Sequence, residues 1–325
     1  MKFLVVGGAG YIGSHMVKHL LHAGHQWVVA DNFSTGHRRA LMEGTVVELD
    51  IADPQALDTL FAQHQFDAVF HFASFIQVGE SVSEPAKYYQ NNFCATLTLL
   101  QAMLRAGVKR FIFSSTAAVY GDPEYVPIDE QHPKAPINPY GRSKWMVEQL
   151  LEDLDRAYGL KSVCLRYFNA AGADPEGQLG ERHEPETHLL PLILQAASGR
   201  RQSITVYGRD YDTPDGTCIR DYVHVTDLIA AHALALDYLL EGGASTAFNL
   251  GNGQGFSVQQ VIDTARNVTG QAISVSEAPR RAGDPPRLVA DPRRAQALLG
   301  WQPQFASLEQ IVTHAWRWEQ QYPWQ

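Results

Sequence analysis

The most pointed chemistry in this chain lies in the run Tyr140-Gly141-Arg142-Ser143-Lys144. On a helix, residues at i and i+4 share one face, so the phenol and the ammonium can lie side by side. An ammonium beside a phenol favours the phenolate and lowers its pKa, which would make Tyr140 a usable general base. The preceding apolar run Phe111-Ile112-Phe113-Ser114-Ser115-Thr116 reads as a strand ending on a hydroxyl that could share the proton. Tyr140, Lys144 and Thr116 are therefore the expected catalytic residues. A Tyr-x-x-x-Lys spacing is common by itself. It gains weight from following a strand, because doubly wound sheets bind ligands at the carboxyl ends of their strands.

A second constellation sits at the N-terminus. Gly7-Gly8-Ala9-Gly10-Tyr11-Ile12-Gly13 follows the strand-like Lys2 to Val6 and opens a helical pattern. Gly7 would permit the tight turn, Gly10 the approach of backbone to a pyrophosphate, and Gly13 close helix–strand packing, with the helix N-terminus facing the phosphates. The spacing is GxxGxxG. Asp31 closes the second strand, where a carboxylate can accept both adenosine-ribose hydroxyls and repel a 2′-phosphate, which favours NAD over NADP. The basic run His37, Arg38, Arg39 lies nearby and could neutralise a 2′-phosphate. Asp50 ends the third strand, as an adenine contact or as a plain turn residue.

These residues need a scaffold, and the pattern supplies one. Short β-type runs (2–6, 26–30, 46–49, 68–72, 109–114, 162–166) alternate with helical stretches (12–23, 54–63, 88–106, 140–158). Such alternation implies right-handed crossovers and a parallel sheet covered on both faces. Beyond Asn169 the pattern loosens, with helices over 189–198, 258–269 and 308–320 and a strand over 247–250. The expected organisation is a dinucleotide-binding domain over 1–170 and a smaller, loop-rich α/β substrate domain over 171–325, with part of 225–260 returning to the first.

Composition narrows the function classes. Lys+Arg 26 against Asp+Glu 35 gives a formal charge of −9, which argues against a nucleic-acid binder. No apolar run approaches the ~20 residues of a membrane span. The start reads without a secretory signal. Cys94, Cys164 and Cys218 stand far apart, which fits a reducing, cytoplasmic compartment. No metal is expected, because His183, His188, His224 and His232 lack a compact ligand spacing.

Taken together the motifs resemble the extended short-chain dehydrogenase/reductase family, whose fold is the Rossmann α/β type. The resemblance rests on the glycine turn, Val78-Gly79-Glu80-Ser81, Phe113 to Gly121, Pro139 to Lys144 and Leu165-Arg166-Tyr167-Phe168-Asn169. The stretch Gly208 to Thr217, leading into Arg220-Asp221-Tyr222-Val223-His224-Val225, and then Pro279 to Asp284, is more specific and resembles the UDP-hexose 4-epimerases of that family.

The resemblance implies interconversion of UDP-glucose and UDP-galactose through a 4-keto sugar, with NAD regenerated each cycle and retained. It implies a cofactor site of Gly7, Gly10, Tyr11, Ile12, Gly13, Asp31, Asn32, Asp50, Ile51, Phe72, Ala73, Asn91, Ser114, Tyr140, Lys144 and Tyr167. The implied substrate site is Thr116, Tyr140, Asn169, His188, Leu189, Thr205, Tyr207, Arg220, Arg281, Asp284 and Leu288. Arg220 and Arg281 suit a diphosphate, since guanidinium forks match phosphate oxygens. Relatives also imply a homodimer paired through helices like 88–106 and 140–158.

The chain departs from the family pattern at Ile76, which replaces a lysine, at His188, which replaces an asparagine, and at Thr116, where serine is frequent. Leu288 stands where some members carry tyrosine, which leaves UDP-GlcNAc, UDP-xylose and UDP-glucuronate open as substrates. A sugar-nucleotide 4,6-dehydratase would need an Asp-Glu pair after the threonine; Ala117-Ala118 cannot transfer protons. A non-enzymatic NAD-sensing protein would tolerate loss of the catalytic residues, which are intact here.

Overall fold

Alternating strands and helices build the first half of the chain in this computed structural model, which describes residues 1–281 and 284–323. In order they are β1 (Lys2–Val6), α1 (Tyr11–His22), β2 (Gln26–Asp31), β3 (Thr45–Glu48), α2 (Pro54–Gln63), β4 (Ala68–His71), α3 (Val78–Ser83), α4 (Pro85–Tyr88), α5 (Thr96–Arg105), β5 (Arg110–Thr116), α6 (Pro139–Tyr158) and β6 (Lys161–Tyr167). There follow β7 (Asn169–Ala171), α7 (Leu189–Ala197), β8 (Ile204–Tyr207), β9 (Ile219–Arg220), β10 (Tyr222–His224), α8 (Val225–Leu240), β11 (Thr246–Leu250), β12 (Phe256–Ser257), α9 (Val258–Thr269), β13 (Val275–Ala278), β14 (Arg287–Leu288), α10 (Arg293–Leu299) and α11 (Leu308–Glu319).

The central sheet has the order β11-β6-β5-β4-β1-β2-β3. β1 pairs in parallel with both β2 and β4, and β4 with β5. The order reverses at β1, so the carboxyl ends of β1 and β4 form the switch point where such sheets bind ligands. Runs such as Phe3-Leu4-Val5-Val6 are apolar at every position because both faces of the sheet are covered. This is the doubly wound α/β fold expected from the sequence.

The chain divides into two compact units. One comprises residues 1–121, 133–166 and 229–248; the other comprises 122–132, 167–228 and the chain from 249 onward. The first is held by a core that includes Leu4, Val28, Val69, Leu99, Phe111 and Val147. In the second, α7, α9 and α11 bring together Leu190, Ile193, Val261, Ile262, Ile311 and Val312.

The structure differs from the sequence reading in several short elements and in two helices. The single helix expected over 88–106 is α4, a wide π-helical segment Tyr89–Ala95, and α5. The widened turn coincides with an inward Asn92, whose amide accepts from Phe75 N–H (2.9 Å) and donates to Phe75 O (3.0 Å) and Ser143 Oγ (3.2 Å). Helix α8 was not foreseen. It is apolar on nearly every side, with Val225, Leu228, Ile229, Ala231, Ala235, Leu236 and Leu239 all buried, so it shows no amphipathic stripe.

Candidate active site

Helix α6 starts where the chemistry needs it. Asn138 caps it by accepting from Gly141 N–H (2.8 Å), and Pro139 occupies the first turn, where its missing N–H costs nothing. Tyr140 and Lys144 therefore stand in the first two turns. Thr116, at the end of β5, hydrogen-bonds Tyr140. Its oxygen also accepts from Ala118 N–H (3.1 Å), which leaves the hydroxyl proton to point at the phenol. Lys144 is 3% exposed and donates to the carbonyl of Ser114 (2.8 Å).

The electrostatics correct one expectation. Burial pushes the Tyr140 phenol above its usual value, and only the hydrogen bond from Thr116 opposes this. Burial also brings the Lys144 ammonium down to about 7, against the pull of Glu148. Spacing along a helix shows which groups are neighbours but not how dry they are, and here desolvation outweighs the hydrogen bond from Thr116.

Behind Lys144 lies a buried ionic cluster that the sequence reading missed. Glu148, one turn further along α6, accepts from Arg166 Nε at 3.0 and 3.1 Å and from Ser115 Oγ at 2.5 Å. Arg166 donates its remaining fork to Tyr120 Oη (2.9 Å). Glu148 and Arg166 are each 4% exposed. The i, i+4 relation of Glu148 to Lys144 was a signal available in the sequence. His71 lies near Lys144; burial and the ammonium push it down to about 3, and its Nε2 meets Thr96 Oγ1 at 2.9 Å.

The glycine turn sits at the switch point. Gly7 has φ +79, and a Cβ there would lie 2.5 Å from Ala73 N. A Cβ on Gly13 would lie 2.1 Å from Gly7 O. Gly10 is different: its Cβ would meet only Gly7 O, at 3.4 Å, so the protein's own packing does not demand glycine there. A side chain at that point would instead fill the cradle in front of α1, whose N-terminus has neither a side-chain cap nor an acidic first turn. That is what a pyrophosphate site requires. Phe72 and Ala73 close over the turn through N–H bonds to Val6 O (2.8 and 3.2 Å).

Asp31 accepts from Ala9 N–H (2.9 Å) and Phe33 N–H (2.8 Å), and burial raises its pKa despite these bonds. Two of its four lone-pair sites are used, and two remain for hydroxyls. Asn32 donates to Asp50 (3.0 Å), which joins two more of the expected cofactor residues, and Ile51 beside them is buried. Arg38 pairs with Glu48 and lies 4.0 Å over the Phe33 ring. Asn91 donates to Asn92 (2.9 Å) on the π-helical segment. These residues fit a dinucleotide.

Apart from Thr116 and Tyr140, which belong to the first unit, the expected substrate residues lie in the second unit. Arg220 pairs with Asp284 and donates to the carbonyls of Ile219 (2.8 Å) and Pro285 (3.0 Å), while Leu288 is its registered neighbour across the β9–β14 pair. Arg281 stacks 3.9 Å over the ring of Tyr207, on β8 with Thr205. Thr205 itself meets Ser276 Oγ (2.9 Å). Asn169 donates its amide to Asp221 O (2.9 Å). Asp221, a residue not singled out in the sequence, gathers N–H bonds from Asn252 (2.6 Å), Gly253 (2.9 Å) and Ala290 (3.1 Å), and burial pushes it up to about 6.

A second correction concerns the histidines. His183 and His188 do belong to a compact group, with Glu181 and Glu186, whose ligand atoms all lie within 4.8 Å of one another. Glu181 before the two histidines and Glu186 between them complete a group that the histidine spacing alone does not show. His188 is thereby engaged with Glu181, and Leu189 opens α7 directly after it. His224 instead meets His314 (3.0 Å), and His232 packs against Phe72.

Comparison with known proteins adds to this geometry. Residues 3–251 match the family model described as "NAD dependent epimerase/dehydratase family". A UDP-glucose 4-epimerase of Halalkalibacterium halodurans is 53% identical over 323 residues, which is 99% of this chain and 97% of that protein. One from Rhizobium meliloti is 54% identical over 317 residues, covering 98% and 96%. The crystal structure of UDP-glucose 4-epimerase from Brucella ovis in complex with NAD superposes with a TM-score of 0.95 at 50% identity, covering 97% of each chain.

Proposed function

The chain belongs to the NAD dependent epimerase/dehydratase family, and on that premise we infer that it interconverts UDP-glucose and UDP-galactose by oxidation and re-reduction at C4 of the sugar. It is an NAD-dependent enzyme and an isomerase. NAD, when bound, takes hydrogen with its electron pair from C4 and gives it back, so the cycle has no net redox change. The observation that carries the reading is the Thr116–Tyr140 hydrogen bond beside the buried Lys144.

In our reading Tyr140 takes the 4-hydroxyl proton, with Thr116 bridging phenol and sugar oxygen, and returns it when the 4-keto sugar is reduced. Lys144 binds the nicotinamide ribose, and the hydrogen bond from Thr116 works against the desolvation that keeps the phenol protonated. Tyr167 and Ser114 complete that end of the dinucleotide; Asp31, Asn32, Asp50 and Ile51 hold the adenosine; Gly10, Tyr11 and Ile12 face the pyrophosphate. In the second unit, Arg220 and Arg281 hold the diphosphate, and Asn169, Leu189, Tyr207, Asp284 and Leu288 frame the uridine and sugar. Binding energy from the nucleotide, remote from C4, anchors the substrate while the sugar turns over. The dehydratase reading lacks support, since Thr116 leads into the apolar turn Ala117–Val119.

We also propose that the enzyme works in the cytoplasm as a homodimer. Three unpaired cysteines are compatible with a reducing compartment, and among the described residues no helix is long and apolar enough to cross a membrane. Light scattering on the purified protein tests the dimer.

The test of the reaction is direct. Purified protein incubated with UDP-galactose should yield UDP-glucose, and denaturation should release NAD(H). Tyr140→Phe should lose about 10²- to 10⁴-fold in kcat while KM changes little. Near-normal turnover in that variant removes Tyr140 as the base.

A further inference from the structure

We propose that Glu181, His183, Glu186 and His188 form a binding site for a zinc-like divalent metal ion. The four side chains come from one eight-residue loop, with the spacing Glu-x-His-x-x-Glu-x-His. Nδ1 of His183 and Nδ1 of His188 converge on the same oxygen of Glu181, at 2.9 and 2.5 Å. Glu186 approaches both rings, with Oε2 3.7 Å from His183 Nδ1 and Oε1 3.6 Å from His188 Nδ1. Ligand atoms around a tetrahedral ion with bonds of about 2.0–2.1 Å lie about 3.3 Å apart. The observed separations bracket that value, so small side-chain adjustments would admit the ion.

The donor chemistry is consistent with this. Two imidazoles and two carboxylates suit zinc or its first-row neighbours, and the two carboxylates balance the ion's charge. The rings lie 5.4 Å apart and inclined at 64°, which aims both nitrogens at one point without stacking. Outer groups hold the ligands in place. Glu186 accepts from Thr187 N–H (2.7 Å) and His188 N–H (2.8 Å) through one oxygen, so its other oxygen can serve as the ligand atom. The main chain of Glu181 is pinned by Trp318 Nε1 (3.0 Å). Metal sites are ordinarily supported by such second contacts.

Four protein ligands close the coordination sphere, so the ion would be structural. His188 is also the residue before α7, at a helix start with no side-chain cap. The ion would therefore fix the entry to that helix. The competing arrangement is a metal-free quartet in which protonated histidines pair with the carboxylates. It needs no ion, and experiment separates the two.

The full chain, expressed without a histidine tag and desalted, should carry about one equivalent of zinc by mass spectrometry. After chelation, added zinc chloride should raise the melting temperature. Added cobalt(II) should give the intense visible bands of a four-coordinate ion. His183→Ala should abolish both responses, and Glu181→Gln provides a second variant. Absence of zinc and of the cobalt bands in the wild type would overturn the site, as would equal metal binding by the folded His183→Ala protein. Because metal content and spectra do not depend on turnover, this result is independent of the epimerase reading.

Discussion

Lys144 Nζ donates a 2.8 Å hydrogen bond to the main-chain carbonyl of Ser114, two residues before Thr116. The bond ties the second turn of α6 to the end of β5, so lysine and threonine are positioned by the same strand. Its cost is a cation held where water does not reach.

That cost has a pH signature. Lys144 titrates near 7 when folded, against an ordinary 10.5. Between these values the unfolded chain binds more protons at this position, so the residue makes stability rise with pH. Below about pH 7 both states carry the proton and the whole burial penalty remains. In dinucleotide-free protein, Lys144→Met should therefore gain most over wild type at pH 6, with the gap narrowing by pH 9. Melting curves at the two pH values measure this; a gap independent of pH contradicts it.

The three glycines of the turn should separate by function. Gly13→Ala drives a Cβ toward Gly7 O and should cost about 1–3 kcal/mol through overpacking. Gly10→Ala meets no such obstacle and should change stability by no more than about 0.5 kcal/mol, yet the protein should purify with much less NAD. Urea unfolding and dinucleotide content of the two variants distinguish these effects.

Glu148 and Arg166 are predicted to be costly to separate and cheap to replace together. Glu148→Ala leaves a buried guanidinium unpaired and should destabilise by about 3–5 kcal/mol. A Glu148→Leu, Arg166→Met double variant should recover most of that loss in denaturant titrations. Equal instability of the single and double variants would argue that the cluster's value lies in its bonds to Ser115 and Tyr120.

Leu288, the registered neighbour of Arg220, is proposed to limit the 2-substituent of the sugar. Leu288→Tyr should lower kcat/KM for UDP-GlcNAc relative to UDP-glucose by about tenfold or more. If the tyrosine only disturbs packing against the buried Val289 and Ala290, both substrates should suffer equally and the melting temperature should fall.

The sheet was legible because its strands are short apolar runs between helices of clear period, and β1 to β6 fall within a few residues of the sequence reading. Strands of two or three residues, such as β9 and β14, are too short for any periodicity and exist only through their neighbours. Helix α8 was hidden by being apolar all round. Within the site, the residue types and their order along the chain were readable, as with Tyr140, Lys144 and Asp31. Burial was not, and burial decides the direction in which Tyr140 and Lys144 titrate. The Glu181–His188 group escaped because ligand sets mixing carboxylates with imidazoles do not stand out among ordinary charged residues.

The first unit takes its residues from three separate stretches, the last of them 229–248. Strand β11, at the edge of the sheet beside β6, begins only at Thr246, long after β6 ends at Tyr167. During synthesis β6 must wait as a bare edge until the ribosome has released that distant segment, and an unpaired edge is a template for aggregation. A nonsense mutation in the long stretch between them would leave the nascent sheet without its closing strand. The enzyme therefore cannot be shortened to a free-standing nucleotide-binding half by cutting after β6.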